Sequence, residues 1–244
     1  MNNEGTNAKL TTKHILLGVT GSVAAVKCPA LIDALSSRFL RFSDVHAIHI
    51  KCLLTKAGSH FLAKSKAYDL DAWNAMQSYM NNCNDLVKVE MIEATEEWEG
   101  WDCIGDPVLH IDLRNWADLL LIAPLSAHTL AKLANGLCDD TLSCVVRAWN
   151  FDRNVGKPLI LAPAMNTAMW NHPLTASQLK TIKSFGMGAV EGKEEDCKDG
   201  LIHVVDPTVK TLACGELGSG ALADISDIVL AVEHSLKFAK GAYT

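Results

Sequence analysis

Apolar residues in this chain gather in short unbroken runs rather than in alternating or heptad patterns. His14 to Val19, Val45 to Leu54, Asp118 to Ala123 and Pro158 to Ala162 are four such runs. Continuous apolar strands of this length mark a parallel sheet buried on both faces. Between them the apolar period lengthens to that of a helix. Ser22 to Ser37 follows the first run, Thr129 to Ala134 and Thr141 to Trp149 follow the third, and Thr175 to Phe185 follows the fourth. The alternation predicts an α/β fold, a single doubly wound, Rossmann- or flavodoxin-like parallel sheet with helices on both faces. Such sheets bind ligands at the carboxyl ends of their strands. Chemistry is therefore expected in the loops after Thr20, Leu54, Pro124 and Pro163.

Two stretches break the pattern. Residues 65–106 are polar, with weak periodicity and an acidic run from Glu93 to Asp102, and read as a surface excursion holding one short helix. Residues 191–206 are charged and read as a second, exposed excursion. Residues 1–12 form a flexible polar tail, Ile225 to Phe238 is the closing helix, and no linker or repeat divides residues 1–244, so one domain is expected.

Composition narrows the partners. A formal charge of −6 with no basic patch opposes nucleic-acid binding, so the partner is expected to be a small molecule. The longest apolar stretch, Ala117 to Leu125, is far short of the roughly 20 residues that span a bilayer. With no secretory pattern at the N-terminus, a cytoplasmic location and reduced thiols are expected. The eight cysteines form no C-x-x-C pair and read mainly as small buried hydrophobes. His46 and His49 point to opposite faces of a strand, so no metal site is expected.

Four loops carry candidate chemistry. Thr20-Gly21-Ser22 offers amides and a hydroxyl to a phosphate, although alone such a turn is more often a plain helix cap. Ser126 and Thr129 supply a second hydroxyl cluster at the next strand end, and the two together suit a mononucleotide phosphate. Pro163-Ala164-Met165-Asn166-Thr167-Ala168-Met169-Trp170 reads as an irregular loop whose amide can orient a carboxylate and whose thioethers can cover a ligand. Cys214-Gly215-Glu216-Leu217-Gly218-Ser219-Gly220 reads as a mobile lid bearing a proton-donating thiol. His110, at the start of a short helix, fits a structural cap and a proton-transfer role equally well.

Read together, these strings identify a family. P-A-M-N-x-x-M-W, V-L-H-I-D-L-R, W-A-D-L-L-L-I-A-P-L-S-A, G-L-C-D-D-x-L and A-C-G-E-L-G-S-G-A occur in the order found in one group of enzymes. From about Ile15 to about Ile228 the chain resembles the phosphopantothenoylcysteine decarboxylases of coenzyme A synthesis, within the homo-oligomeric flavin-containing cysteine decarboxylases and with the strings of their eukaryotic members. The resemblance implies FMN as cofactor and a homotrimer with active sites between subunits. It makes His110 the catalytic histidine, Asn166 the holder of the substrate carboxylate and Cys214 the acid of the final step. Met169 joins the substrate clamp, and Arg114 and Lys210 are candidate anchors for the substrate's anionic end. Gly21, Ser22, Val23, Ala24, Thr55, Lys56, Ala57, Ser126, Ala127, His128, Thr129 and Met165 fall where the family contacts FMN. Three features depart from the family pattern: His128 replaces an asparagine, Asn115 replaces a basic residue, and Ala221-Leu222-Ala223-Asp224 replaces A-M-A-E.

An acylated cysteine cannot form a Schiff base, so its decarboxylation needs an electron sink that must be made. Removing hydride from the carbon bearing sulfur gives a thioaldehyde, β to the carboxylate. Carbon dioxide then leaves an enethiolate, which Cys214 protonates before the hydride returns. Two other readings stand beside this one: an inhibitory subunit of a protein phosphatase, and a decarboxylase acting on cysteine-ending peptides.

Overall fold

The computed structural model describes residues 11–42, 45–81, 86–93, 96–152, 155–186, 201–211 and 217–241. Six parallel strands form the main sheet: β1 (Thr11–Val19), β2 (Val45–Leu54), β3 (Val87–Glu93), β4 (Leu119–Leu125), β5 (Leu159–Pro163) and β6 (Ile202–Val204). Their order is β3-β2-β1-β4-β5-β6, so the direction of winding reverses between β1 and β4. That reversal opens a crevice at the carboxyl ends of these two strands.

The period of two sorts each strand's side chains between two cores. Ile15, Leu17 and Val19 of β1 pack with helix α1 (Cys28–Phe39), helix α4 (Leu70–Asn81) and the closing helix α10 (Ile225–Gly241) on one face. Helices α2 (Lys56–Leu62) and α3 (Ser65–Tyr68) lead from β2 into α4. Leu16 of β1 and Leu120 and Ile122 of β4 face the other core. There they meet α5 (Leu109–Trp116), α6 (Ala127–Asn135), α7 (Thr141–Arg147) and α9 (Pro173–Phe185). A short helix α8 (Thr167–Trp170) precedes α9, and a separate antiparallel hairpin joins β7 (Thr208–Thr211) to β8 (Leu217–Ala221). Both faces are filled by fully buried aliphatics, each contributing about 1.5–3 kcal/mol relative to exposure.

Several expectations change. The helix expected over 22–37 is split into a 3₁₀ turn (Val23–Lys27) and α1, because Pro29 has no N–H to continue the first turn's ladder. Residues 65–106 are more than a surface excursion: they supply α3, α4 and the edge strand β3. In β3, Val87, Val89 and Ile92 are buried while Lys88 and Glu90 face solvent. That alternation is the signature of a half-buried edge rather than of the unbroken runs that mark the central strands. The second excursion likewise contributes β6, while 191–200 lie outside the described residues, as does nearly all of the 1–12 tail. Of the described cysteines, Cys28 and Cys52 are buried, but Cys103 and Cys138 are exposed and Cys144 is half-buried. The last three occupy loop and helix-start positions outside the apolar runs.

Candidate active site

Thr20 holds the crevice together. Fully buried, it donates its hydroxyl hydrogen to the Pro124 carbonyl at 2.7 Å and accepts the Ser126 N–H at 2.7 Å, tying the end of β1 to the end of β4. Helices then start around the rim, each with a polar cap that takes up an otherwise unpaired N–H. Thr55 caps α2, accepting from Gly58 N–H at 3.1 Å, and Ser126 caps α6, accepting from Thr129 N–H at 3.3 Å. Asp140 caps α7 through a reciprocal box with Ser143. The helix starts lend the rim partial positive charge and spare amide donors.

Close backbone approach shapes the floor. A Cβ on Gly21 would lie 2.6 Å from the Ala57 methyl, and one on Gly58 would lie 2.1 Å from the Val19 carbonyl oxygen. Only glycine lets α2 sit this tightly against the end of β1.

The resulting cavity encloses about 900 Å³. Gly21, Thr55, Lys56 and Ala57 line one side, and Ser126, His128 and Thr129 the other. Seven of the twelve residues expected to contact a cofactor are therefore brought together. The other five lie beside the wall rather than on it. Ser22 caps the 3₁₀ turn by accepting from Ala24 N–H at 3.3 Å, Val23 is exposed, and Ala24 and Ala127 are half-buried. Met165 is buried and gives its N–H to the Gly220 carbonyl.

Residues that the sequence reading left out complete the wall. Lys132 reaches Asp139 at 2.7 Å and Asp140 at 2.9 Å. Burial pulls its ammonium down, but the two carboxylates outweigh burial and hold it above its ordinary value. Burial, reinforced by the charge of Glu97, pushes the Cys144 thiol up to about 11, so it stays protonated at neutral pH. Glu97, from the acidic run read as solvation, also lines the cavity and pairs with Nδ1 of His110. Nothing local in Glu96-Glu97-Trp98 marks the middle residue as the buried one.

The expected substrate-binding residues form a second group. Asn166 caps α8, its Oδ1 accepting from Ala168 N–H at 2.8 Å, so the stretch read as irregular contains a short helix. Met169 is exposed on that helix. Within the stretch read as a mobile lid, Leu217–Ala221 is strand β8 and packs on α8. Gly220 has φ +107°, and a Cβ there would meet the Met165 carbonyl oxygen at 2.6 Å. Positive φ and this clash both require glycine. Lys210 pairs with Asp224, and Arg114 sits in the last turn of α5. Asn166 and Met169 are not among the residues that line the cavity. Cys214, Gly215 and Glu216 lie outside the described residues.

Comparison with known proteins gives one consistent result. Residues 4–237 match the family described as Flavoprotein. The phosphopantothenoylcysteine decarboxylase of Mus musculus is 40% identical over 224 residues, covering 91% of this chain and 87% of that protein. Among solved structures, a cysteine-to-serine mutant of PPC decarboxylase complexed with pantothenoylaminoethenethiol superposes with a TM-score of 0.68. It is 36% identical and covers 92% of this chain and 98% of that one. The FMN binding protein AtHal3 has a TM-score of 0.63 at 37% identity, over 91% of this chain and 95% of its own.

Proposed function

The chain belongs to the flavoprotein family, among its phosphopantothenoylcysteine decarboxylases. From that premise we propose that it binds FMN and decarboxylates 4′-phosphopantothenoylcysteine to 4′-phosphopantetheine for coenzyme A synthesis. The observation that carries this reading is the cavity at the β1/β4 crevice. Its volume falls within the range of small-ligand pockets, its rim offers the N-termini of α2 and α6 to a phosphate, and Gly21 admits close backbone approach. These residues fit a flavin mononucleotide.

Bound in this cavity, FMN would supply a reversible two-electron acceptor for hydride from the carbon bearing sulfur. The protein's own groups do the rest. His110 takes the thiol proton as the C=S group forms. Asn166 fixes the carboxylate over this sink, so that its departure as carbon dioxide leaves an enethiolate. Cys214 protonates the enethiolate at carbon. Met169 packs on the pantothenoyl chain, and Arg114 anchors the phosphate. Pairing with Asp224 offsets the charge of Lys210 and makes it the weaker anchor. The ligand held by the mutant relative, pantothenoylaminoethenethiol, is of the kind this scheme leaves when a final proton donor is removed.

The working unit in this reading is a homotrimer with shared sites. Asn166 and Met169 lie off the cavity of their own protomer, and large apolar side chains such as Trp98 and Leu137 stand exposed at or next to its wall. A neighbouring subunit that covers them brings the two residue groups together. Among the described residues no helix is long and apolar enough to cross a membrane. The enzyme is read as acting in the cytoplasm on a small phosphorylated substrate.

The test is to purify the chain, record its visible spectrum, measure its mass in solution and assay carbon dioxide release. A yellow trimer active on 4′-phosphopantothenoylcysteine supports the reading. A folded but colourless protein overturns it, and activity confined to a cysteine-ending peptide reassigns the substrate.

A further inference from the structure

Glu97 is an unusual member of its segment. It occupies the 3₁₀ turn Glu96–Trp98, where Trp98 is 63% exposed, yet Glu97 is only 8% exposed. A buried carboxylate needs partners to offset the water it has lost. One of its oxygens is paired with His110 Nδ1, while Oε2 has no partner among the described residues. The same side chain lines the cavity together with Cys144, whose thiol is kept protonated by burial with help from the Glu97 charge. His110 is itself largely shielded from solvent, so the pair does not stand on a solvated face.

The two imidazole nitrogens are not equivalent in such an arrangement. A carboxylate beside Nδ1 accepts its hydrogen and fixes the neutral ring as the Nδ1–H tautomer, which leaves the lone pair on Nε2. The geometry points to Glu97 as the positioning residue of His110, holding that tautomer so that Nε2 receives the substrate's thiol proton. This rests on the proposed decarboxylase function. In the step itself the S–H bond breaks and an Nε2–H bond forms. The ring becomes imidazolium, and Glu97 remains ionised to offset the new positive charge without taking a proton. Its second oxygen remains open to an N–H or O–H of a bound ligand.

The inference is tested on the FMN-loaded enzyme with E97Q, E97A, H110N and the E97Q/H110N double variant. Gln keeps the size of the side chain but can turn its NH₂ towards Nδ1, which selects the wrong tautomer. E97Q is expected to retain FMN and KM while kcat falls at least about tenfold, as for other residues that orient a working histidine. In the H110N background E97Q is expected to cost nothing further, since the two residues act as one unit. Nitrogen-15 NMR of the histidine rings, run with and without substrate, reads the tautomer directly. It is expected to show Nδ1–H in the parent and mainly Nε2–H in E97Q and E97A. Unchanged kcat in E97Q, an equal loss in the H110N background, or an unchanged ring tautomer each overturns the assignment. If the parent chain proves inactive, the function reading fails instead, and the tautomer measurement still decides whether Glu97 orients the ring. If E97A does not fold, the near-isosteric E97Q carries the test.

Discussion

The backbone N–H of Ser126 donates to the hydroxyl of Thr20 at 2.7 Å, across 106 residues of chain. Together with the bond from the Thr20 hydroxyl to the Pro124 carbonyl, this contact aligns the two strand ends whose divergence makes the binding crevice. Because Thr20 is wholly buried, replacing it with valine keeps the shape but strands the Ser126 N–H without a partner. Thr20→Val is expected to lower stability by about 1–3 kcal/mol. It is also expected to weaken FMN binding, because Ser126 starts α6 at the cavity rim. Urea denaturation of the apoprotein and a fluorescence titration with FMN check both. Wild-type values in the two measurements contradict a stapling role.

Gly58 sets how closely α2 approaches β1. Its absent Cβ would meet a backbone carbonyl, which cannot swing aside as a side chain would. Gly58→Ala is expected to cost about 1–3 kcal/mol through overpacking and to reduce bound FMN. Thermal melting and the flavin absorbance of the purified variant read these effects. Gly136, where a Cβ meets nothing within 4 Å but φ is +70°, is the useful contrast. Gly136→Ala is expected to strain the end of α6 while leaving the α2–β1 contact intact.

Stability is expected to fall in mild acid through two histidines. Burial holds His14 below its ordinary 6.5, outweighing the opposing pull of Asp118, and burial, aided by the nearby His234, does the same to His203. The folded state therefore binds fewer protons than the unfolded chain as pH falls through 6.5, and folding grows less favourable until both rings are protonated in the fold. Urea midpoints measured from about pH 7.5 to about pH 5.5 are expected to decline. His14→Gln with His203→Gln is expected to flatten the decline. An unchanged slope in that double variant assigns the acid sensitivity elsewhere.

Most of the fold was legible because buried parallel strands write themselves as unbroken apolar runs. Leu119 to Leu125 is buried at every position, and β1, β2 and β5 begin and end within a few residues of the runs that predict them. The edge strand β3 was not legible, since Lys88 and Glu90 alternate with its buried valines inside a polar segment. Among the hydroxyls that line the cavity, Ser126 and Thr129 were legible as a cluster at a strand end, whereas Thr55 was reached only through the family resemblance. Glu97 was not legible, because its burial comes from α5 and the cavity wall, elements remote from its own turn. The hairpin over Gly218 and Gly220 was read as mobile from its glycines. In the structure they serve the opposite purpose: a Cβ on Gly218 would lie 2.0 Å from the Thr167 hydroxyl oxygen, so their absence of side chains permits tight packing.

The central claim is that carbon dioxide departs only after a hydride has left the substrate, and that Cys214 ends the sequence. It is tested most directly by mixing FMN-loaded Cys214→Ser with 4′-phosphopantothenoylcysteine without oxygen, following the flavin band, carbon dioxide and product mass together. The account predicts about one carbon dioxide per flavin, matching bleaching of the band, and an enethiol product two hydrogens lighter than 4′-phosphopantetheine. Carbon dioxide released with the flavin still oxidised, or repeated turnover to 4′-phosphopantetheine itself, contradicts it.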